Sequence, residues 1–390
     1  MKQIKTTHIP VYIVVFFSFC GCISEKSNES SLINIDVSAS YPGKEMMLEE
    51  VADIEYLQLE FADDFLFNRP PKIITDKFII IAQNSWPSTG DILVFSRDGK
   101  PVSKFNRQGQ GPGEYPVLID LIYYDEMMDE LFVISPSKQI IVYSLSGNFK
   151  RTVSLLLAQV SLDDNIVNYD SKTLLIYNES NEYPALFSFI SKDDGSVVET
   201  IDIPTDKKVD LAALRWNNNN PYVYSVPGYP IVRYNDGYLI TNPQIDTIYF
   251  LSAEKKLSPV LVRKPAIQSM DPVVYLNSFI EAGNYDFMFT AKIQYDTESR
   301  GLPRTYLMRD KKTGSIYKQN ITFNDFKGKQ VTLSPETIAT TKDSKLGLII
   351  LRLVELQEAN RENKLSGRLK ELVDNSDEDG NDIYMLLHFK

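Results

Sequence analysis

The stretch KFIIIAQNSWPSTGDILVFSRDGKPVSKFNRQG, residues 77–109, contains three short apolar segments separated by turn residues. These segments span residues 77–82, 91–96 and 101–106. Asp98-Gly99, between the second and third segments, is a strong hairpin signal, because glycine accepts the left-handed backbone of a tight turn. The stretch therefore predicts three consecutive antiparallel strands.

The same alternation of strand and turn recurs along the chain. Aligned on their middle strands, five such units are separated by 48, 46, 62 and 58 residues. The aligned positions are Ile92, Ile140, Leu186, Ile248 and Tyr306. Periods of this order, with about four strands each, are typical of propeller blades. The pattern predicts an all-β, six-bladed β-propeller, and a seven-bladed propeller or a pair of β-sandwiches remains as an alternative.

The last blade is assembled from both parts of the chain. Residues 345–356 and 382–390 supply its apolar segments, and the early segment VADIEYLQLEF, residues 51–61, belongs to no other blade. Pairing of this early segment with the last strand would close the ring and leave no long open edge. Residues 350–373 are rich in good helix formers, so we expect a short helical insertion near the C-terminus.

The composition favours strands and argues against nucleic acid as a partner. The 390 residues include 22 Tyr, 20 Phe and 2 Trp, and aromatic side chains suit a pleated, half-buried surface. The formal net charge is −11. Binding to nucleic acid depends on lysine and arginine neutralising phosphates, so an acidic chain of this kind would repel it.

The first residues predict export and lipidation. MKQIKTTHIPVYIVVFFSFCGC, residues 1–22, has a basic start, an apolar run too short to span a membrane, and small residues before a cysteine. We interpret residues 1–21 as a lipoprotein signal peptide and Cys22 as the lipidated residue. A plain signal peptide with incidental cysteines is the alternative.

Three segments follow from this interpretation. Residues 22–45, rich in Ser, Asn, Glu and Lys, are expected to form a flexible tether, and residues 46–390 are expected to form the propeller domain. Attachment to the membrane would be through the lipid anchor alone. The expected location is the outer membrane, on its periplasmic or its surface-exposed face.

The glycine-rich segment FNRQGQGPGEY, residues 105–115, is interpreted as a joint between blades. Its glycines do not follow the dinucleotide-binding spacing, and no lysine-serine pair follows to make a phosphate-binding loop. Glycine allows a sharp turn toward the next blade, and Pro112 fixes one backbone angle. Arg107, Glu114 and Tyr115 either pin this loop or face a ligand.

The segment VFSRDGKPVSKFNRQGQGPGEY resembles the first-blade signature of the six-bladed β-propeller lipoproteins of Bacteroidetes, which are similar in architecture to NHL-repeat propellers. The matching positions are Phe95, Asp98, Gly99, Lys100, Gly109, Gly111, Pro112, Gly113, Glu114 and Tyr115. Asn381-Asp382 stands where the family often has Asn-Pro. The resemblance implies a fold and an envelope location; most members have no assigned activity.

Catalytic constellations are scarce in the sequence. Its two histidines are His8, which would leave with the signal peptide, and His388, expected as a hydrogen-bonded residue of the closing strand. One terminal histidine does not support a Ser-His-Asp or Cys-His triad, and a zinc site built from His and Cys is excluded on the same grounds. No catalytic residue is assigned.

The acidic segment DNSDEDGND, residues 374–382, resembles part of a calcium loop. Asn375, Asp377 and Asp379 fall on ligand positions, but Leu386 stands where an EF-hand requires a glutamate. We expect a solvated loop and no cofactor, with calcium as the alternative.

The segment RWNNNNPYVYSVPGYPIVRY, residues 215–234, has the composition of a recognition surface. Trp216, Tyr222, Tyr224 and Tyr229 could stack on sugar rings or hold a peptide, since aromatic residues with a polar tip are enriched at interfaces. An inter-blade loop with core tyrosines would have the same composition.

Three hypotheses for function follow. The first is a lipid-anchored envelope propeller that binds a glycan, a peptide or a partner protein and is not an enzyme. The second is a metal-dependent lyase or hydrolase of the calcium type, with its site at the propeller axis. The third is a structural subunit of an envelope complex. Fold alone does not choose among them.

Overall fold

The computed structural model describes residues 32–390 apart from 84–88, 120, 136–138, 156–164, 179–184, 204–208, 218–219, 227 and 338–344. The predicted signal peptide, with His8, and the predicted lipidation site Cys22 lie outside the described residues. The described residues are arranged as six sheets in a ring, which confirms the six-bladed β-propeller. None of their helices is long and apolar enough to cross a membrane.

The described chain begins with three strands that join sheets formed much later in the sequence. Strand β1 (Ile33–Asp36) and strand β2 (Gly43–Met47) each add in parallel to the outer edge of a sheet, the fourth and the fifth. Strand β3 (Ala52–Gln58) joins the sixth sheet. The boundary expected at residue 46 therefore lies inside the ordered unit, which extends from Leu32 to Lys390.

The first three sheets are four-stranded, antiparallel and sequential. The first contains β4 (Ile73–Ile74), β5 (Phe78–Ala82), β6 (Asp91–Ser96) and β7 (Pro101–Asn106). The second contains β8 (Ile122–Asp125), β9 (Glu130–Ser135), β10 (Gln139–Tyr143) and β11 (Phe149–Ser154). The third contains β12 (Asn165–Asn168), β13 (Thr173–Tyr177), β14 (Phe187–Ser191) and β15 (Val197–Ile201).

A separate two-stranded hairpin, β16 (Ala212–Asn217) and β17 (Asn220–Ser225), lies between the third and fourth blades in sequence. The fourth sheet adds β1 to β18 (Ile231–Tyr234), β19 (Gly237–Ile240), β20 (Thr247–Leu251) and β21 (Leu257–Lys264). The fifth adds β2 to β22 (Val274–Ala282), β23 (Tyr285–Lys292), β24 (Arg304–Asp310), β25 (Ile316–Thr322) and the short β26 (Gln330–Val331).

The sixth sheet closes the ring as the sequence predicts. It contains β27 (Leu346–Leu351), β28 (Ile383–Phe389) and β3, in that order. Strand β28 pairs with β3 in antiparallel register, from Ile383 opposite Gln58 to Phe389 opposite Ala52. This backbone ladder joins residues more than 300 positions apart.

The helical insertion contains two helices where a single one is expected. Helix α1 (Leu353–Arg361) and helix α2 (Gly367–Asp374) both lie between β27 and β28. Each buries one apolar face, through Leu356 in α1 and Leu369 in α2, against the core of the fifth and sixth blades. Residues 362–366 separate the two helices, because the left-handed backbone of Asn363 breaks the helical path. Three single 3-10 turns complete the described helices, at Leu48–Glu50, Ile267–Ser269 and Pro335–Thr337.

The core lies between neighbouring blades. Middle strands such as β9 and β13 are buried along their whole length, because each of their faces packs against a neighbouring sheet. Outer strands such as β7 and β11 bury only some of their side chains. The rigid ring that results positions its loops and leaves the edges of the first strands facing the axis.

Candidate functional site

The joint loop, residues 107–115, links the first and second blades through hydrogen bonds of its own side chains. The Tyr115 side chain is fully buried, and its hydroxyl donates to the Gly90 carbonyl at 2.7 Å. The same hydroxyl accepts a hydrogen bond from the Arg107 backbone N–H at 3.0 Å. The Arg107 Nε donates to the Gly147 carbonyl of the second blade at 3.1 Å. Burial raises the pKa of Tyr115 to about 12.

The glycines of the joint loop lie against neighbouring side chains. Oε2 of Glu114 accepts a hydrogen bond from the Gly111 N–H at 2.8 Å. Gly113 has a φ of +75°, and a Cβ atom at this position would lie 2.7 Å from the Phe149 ring. The hydroxyl of Tyr143 donates to the Gly113 carbonyl at 2.7 Å. The loop is therefore held to the second blade at several points, as expected for a joint.

The hairpin of β16 and β17 has one face exposed and apolar. Leu214 pairs with Val223, and Trp216 pairs with Pro221, so these four side chains share one face of the ribbon. Leu214, Trp216 and Val223 are 57%, 66% and 65% exposed. This face forms a ridge of apolar side chains in contact with solvent.

The opposite face of the hairpin packs against the fifth blade. Tyr224 lies with its ring centroid 4.7 Å from that of Tyr295, which follows β23. Arg215 lies 4.6 Å above the Tyr295 ring and donates a hydrogen bond to its hydroxyl. Tyr222 pairs with Arg215 and remains half exposed. One face therefore fixes the hairpin in place while the other stays free.

An axial cavity of about 1230 Å³ lies inside the ring. All six sheets contribute to its lining, which places it on the propeller axis, and the base of the hairpin borders it through Ala212 and Ser225. Tyr229, which follows the hairpin, lines the cavity. Burial raises the pKa of Tyr229 to about 12, with a further contribution from the charge of Glu336. The hairpin thus lies at one mouth of the cavity.

Three residues of the innermost strands form a polar cluster in the cavity wall: Tyr123 of β8, Asn168 of β12 and Arg233 of β18. Each carries one buried polar atom without a hydrogen-bond partner among the described residues, namely the Tyr123 hydroxyl, the Asn168 Oδ1 and the Arg233 Nε. Buried polar groups are usually paired, so three such atoms in one wall are unusual.

Tyr238 lies at the centre of the polar cluster. Its hydroxyl donates to the Asn168 carbonyl at 2.5 Å, and the Arg233 guanidinium lies 4.9 Å above its ring. Burial raises the pKa of Tyr123, and the charges of Asp125 and Tyr238 raise it further. The second, third and fourth blades thereby meet around one tyrosine.

A buried ion pair supports the polar cluster from behind. Lys192 Nζ lies 3.1 Å from Asp125 Oδ2, and both side chains are almost fully buried. The same ammonium lies 5.3 Å from the centre of the Tyr123 ring. Phe132 packs against the Tyr123 ring at 5.7 Å. These contacts hold the Tyr123 ring in one position.

His388, which also lines the cavity, is hydrogen-bonded as expected. Its Nε2 lies 2.8 Å from Glu55 Oε2, and Arg97 binds both carboxylate oxygens of Glu55 at 2.8 and 2.9 Å. Partial burial of Glu55 acts to raise its pKa, but the hydrogen bonds from His388 and Arg97 outweigh it, and the pKa is lowered. The described residues therefore engage this histidine in an ion-pair network between blades.

The acidic segment does not gather metal ligands in the part of the chain that the structure describes. No group of three or more His, Cys, Asp or Glu side chains is placed to hold a metal ion in that part. The amide of Asn375 donates to the Glu371 carbonyl at the end of α2. The backbone carbonyl of Asp377 accepts from Gly380, which closes a turn that also contains Asp379.

The structure separates the residues that the sequence singles out. Arg107, Glu114 and Tyr115 lie between the first two blades, whereas Trp216, Tyr222, Tyr224 and Tyr229 lie between the third and fourth. The polar cluster escapes the sequence analysis, because its members are 45 and 65 residues apart in the chain. The one available signal is a polar residue inside a short apolar first strand, as in NIVN and IVRY.

Comparison with known proteins gives a family and a fold. A model of the family described as a domain of unknown function (DUF4934) matches residues 32–388. An inferred exported protein from Bacteroides fragilis NCTC 9343, solved by crystallography, matches with a TM-score of 0.63 and 15% identity, over 92% of this chain and 100% of that one. No curated protein matches the chain.

Two further solved structures match at lower similarity. BamB from Moraxella catarrhalis has a TM-score of 0.38 and 10% identity, over 71% of this chain and 84% of that one. Virginiamycin B lyase from Staphylococcus aureus has a TM-score of 0.33 and 11% identity, over 68% of this chain and 98% of that one.

Proposed function

The chain belongs to the DUF4934 family, and we propose that it is an exported, lipid-anchored binding module that recognises a glycan, a peptide or a partner protein at the mouth of its axial cavity. The single observation that carries this proposal is the position of the hairpin. Its apolar ridge is exposed beside a cavity of about 1230 Å³. Ligand sites commonly combine a cavity with aromatic and apolar walls.

The hairpin is suited to contact with a ligand because its structure does not consume its outer face. A two-stranded ribbon is only marginally stable alone in water, and here Tyr224 and Arg215 fix it against Tyr295. Leu214, Trp216 and Val223 are therefore held in place yet unburied. Pre-positioned aromatic groups bind with a smaller loss of conformational entropy than mobile ones.

The anchor and the location rest on the sequence and on one relative. Residues 1–22 have the features of a lipoprotein signal ending at Cys22, and the Bacteroides fragilis protein of similar fold is inferred to be exported. We place the protein at the outer membrane. Replacing Cys22→Ser in the full chain should move the protein from the membrane fraction to the soluble fraction; unchanged membrane association would contradict the lipid anchor.

The binding function is tested with residues 23–390, which include the whole ordered unit and carry no acyl chain. The protein is screened on glycan and peptide arrays beside a Trp216→Ala, Tyr222→Ala variant. Loss of these aromatic contacts should weaken binding at least about tenfold, which is the usual effect of removing an interface anchor. A Met127→Ala, Met128→Ala variant is the matched control, because both methionines are exposed on a tight turn remote from the hairpin in the chain. Blank arrays, or equal binding by all three proteins, would refute the proposal.

A further inference from the structure

The axial cavity contains polar atoms of both hydrogen-bonding kinds that no described side chain or backbone group engages. The Arg233 Nε is a donor, the Asn168 Oδ1 is an acceptor, and the Tyr123 hydroxyl can act as either. Oε1 of Glu126, also in the lining, is a further acceptor without a partner among the described residues. An unpaired buried polar group costs about 1–3 kcal/mol. A ligand that supplies both donors and acceptors would remove this cost.

The charges of the lining do not favour an ion. Three basic side chains, Lys72, Arg97 and Arg233, stand against three carboxylates, Asp76, Glu126 and Asp210. Arg97 is engaged by Glu55, and the Asp210 carboxylate accepts a hydrogen bond from the Ala212 N–H. The cavity thus differs from the acidic chain as a whole, whose net charge is −11. A balanced lining gives no electrostatic preference for a phosphate, a carboxylate or an ammonium group.

Tyrosine is the aromatic residue of the lining. Seven tyrosines contribute to the cavity, with no phenylalanine and no tryptophan among its lining residues. Of these, Tyr123, Tyr169 and Tyr229 retain partial exposure, and Tyr169 stacks on Tyr238 with ring centroids 5.9 Å apart. Aromatic rings with a polar tip match a ligand that has apolar faces and polar edges.

We propose that the axial cavity binds a neutral, hydroxyl-rich saccharide, held by the polar cluster of Tyr123, Asn168 and Arg233. Each sugar hydroxyl both donates and accepts a hydrogen bond, as this mixed set of unpaired atoms requires. Sugar ring faces are apolar and suit the tyrosines. The volume exceeds the range of about 300–1,000 Å³ usual for small-ligand pockets, so it accommodates the end of an oligosaccharide together with water. This inference rests on the proposed function and deepens it.

The test measures the affinity of residues 23–390 for four neutral hexasaccharides, made of glucose, xylose, mannose or N-acetylglucosamine, and for the hexasaccharide of galacturonic acid. At least one neutral probe should bind with an affinity that is insensitive to salt. Tyr123→Phe should weaken that binding about tenfold, because it deletes one hydrogen bond and keeps the ring. The same change should not lower the midpoint of thermal unfolding, because the deleted hydroxyl has no partner among the described residues.

Tyr124→Phe is the matched control. Its hydroxyl already bonds Asp129 Oδ1 at 3.2 Å, so this variant should bind within about twofold of the wild type. Binding of none of the neutral probes, binding of the galacturonic acid probe alone, or an unchanged affinity in Tyr123→Phe would overturn the inference. A peptide ligand that is lost in the Trp216→Ala, Tyr222→Ala variant but kept in Tyr123→Phe would overturn the saccharide inference and leave the binding function standing.

Discussion

The joint loop, residues 107–115, and the hairpin, residues 212–225, both connect neighbouring blades and both contain arginine and tyrosine. In the joint loop the side chains of Arg107, Glu114 and Tyr115 hydrogen-bond to backbone groups, because a short glycine-rich turn has few ladder partners of its own. In the hairpin the backbone satisfies itself across the ribbon, so Trp216 and Val223 stay in contact with solvent. Side chains become available for recognition where the backbone does not need them.

The largest effect is expected for Tyr115→Ala in the joint loop. The change removes a fully buried ring and two hydrogen bonds, so the free energy of unfolding should fall by about 3–5 kcal/mol. Urea unfolding measures it. Tyr222→Ala in the hairpin is the matched change and should stay within about 0.5 kcal/mol of the wild type. Similar losses for the two tyrosines would remove the distinction between the regions.

An alkaline titration should show the same tyrosine through its proton. The pKa of Tyr115 is raised to about 12 in the fold from the ordinary value of 10.0. Its contribution to stability is therefore complete below pH 10 and is lost as the pH rises toward 12. Between these values the wild type should lose about 2–3 kcal/mol more than Tyr115→Phe, at about 1.36 kcal/mol per pKa unit. Parallel pH profiles of the two proteins would contradict this.

A smaller loss is expected for Gly113→Ala. The residue has a φ of +75°, and the added Cβ would lie 2.7 Å from the Phe149 ring, so the loop should lose about 2 kcal/mol. Gly314→Ala separates the two causes, because Gly314 has a φ of +72° and no atom within 4 Å of the added Cβ. Thermal unfolding of both variants should show a larger loss for Gly113→Ala; equal losses would mean that contact with Phe149 contributes nothing.

The smallest effect is expected for Trp216→Ser on the exposed face of the hairpin. The side chain is 66% exposed, and burial of its partner face is unaffected, so the free energy of unfolding should change by no more than about 0.5 kcal/mol. Calorimetry of the variant beside the wild type gives the value. A loss above about 2 kcal/mol would show that the tryptophan holds the hairpin to the ring and is not available to a ligand.

Local patterns predict the blades well. The segments expected at residues 77–82, 91–96 and 101–106 correspond to β5, β6 and β7 within one residue, because Asp98-Gly99 fixes the hairpin. Ile92, Ile140, Ile248 and Tyr306 all lie in the third strand of their blades, and Leu186 directly precedes one. Alternation of apolar and turn residues is a short-range property, and so the sequence carries it openly.

Long-range pairing and convergence escape a reading of the sequence. Strands β1 and β2 have the composition of a tether, and their strand conformation depends on outer edges more than 200 residues later in the chain. The polar cluster is brought together only by the ring, which places Tyr123, Asn168 and Arg233 on one wall. The hairpin lies in a segment recognised for its aromatic residues, but its division into a packed face and a free face depends on Tyr295.

Closure of the ring by β3 and β28 has a consequence for the order of events during export. The ladder joins residues 52–58 to residues 383–389, so the first-made part of the propeller cannot complete its sheet until residue 389 is available. Such a contact has a very large sequence separation, and contacts of this kind slow folding. A chain threaded from its N-terminus through a secretion channel would thus remain an open arc of blades, and it would lock into a ring only after its last strand had emerged.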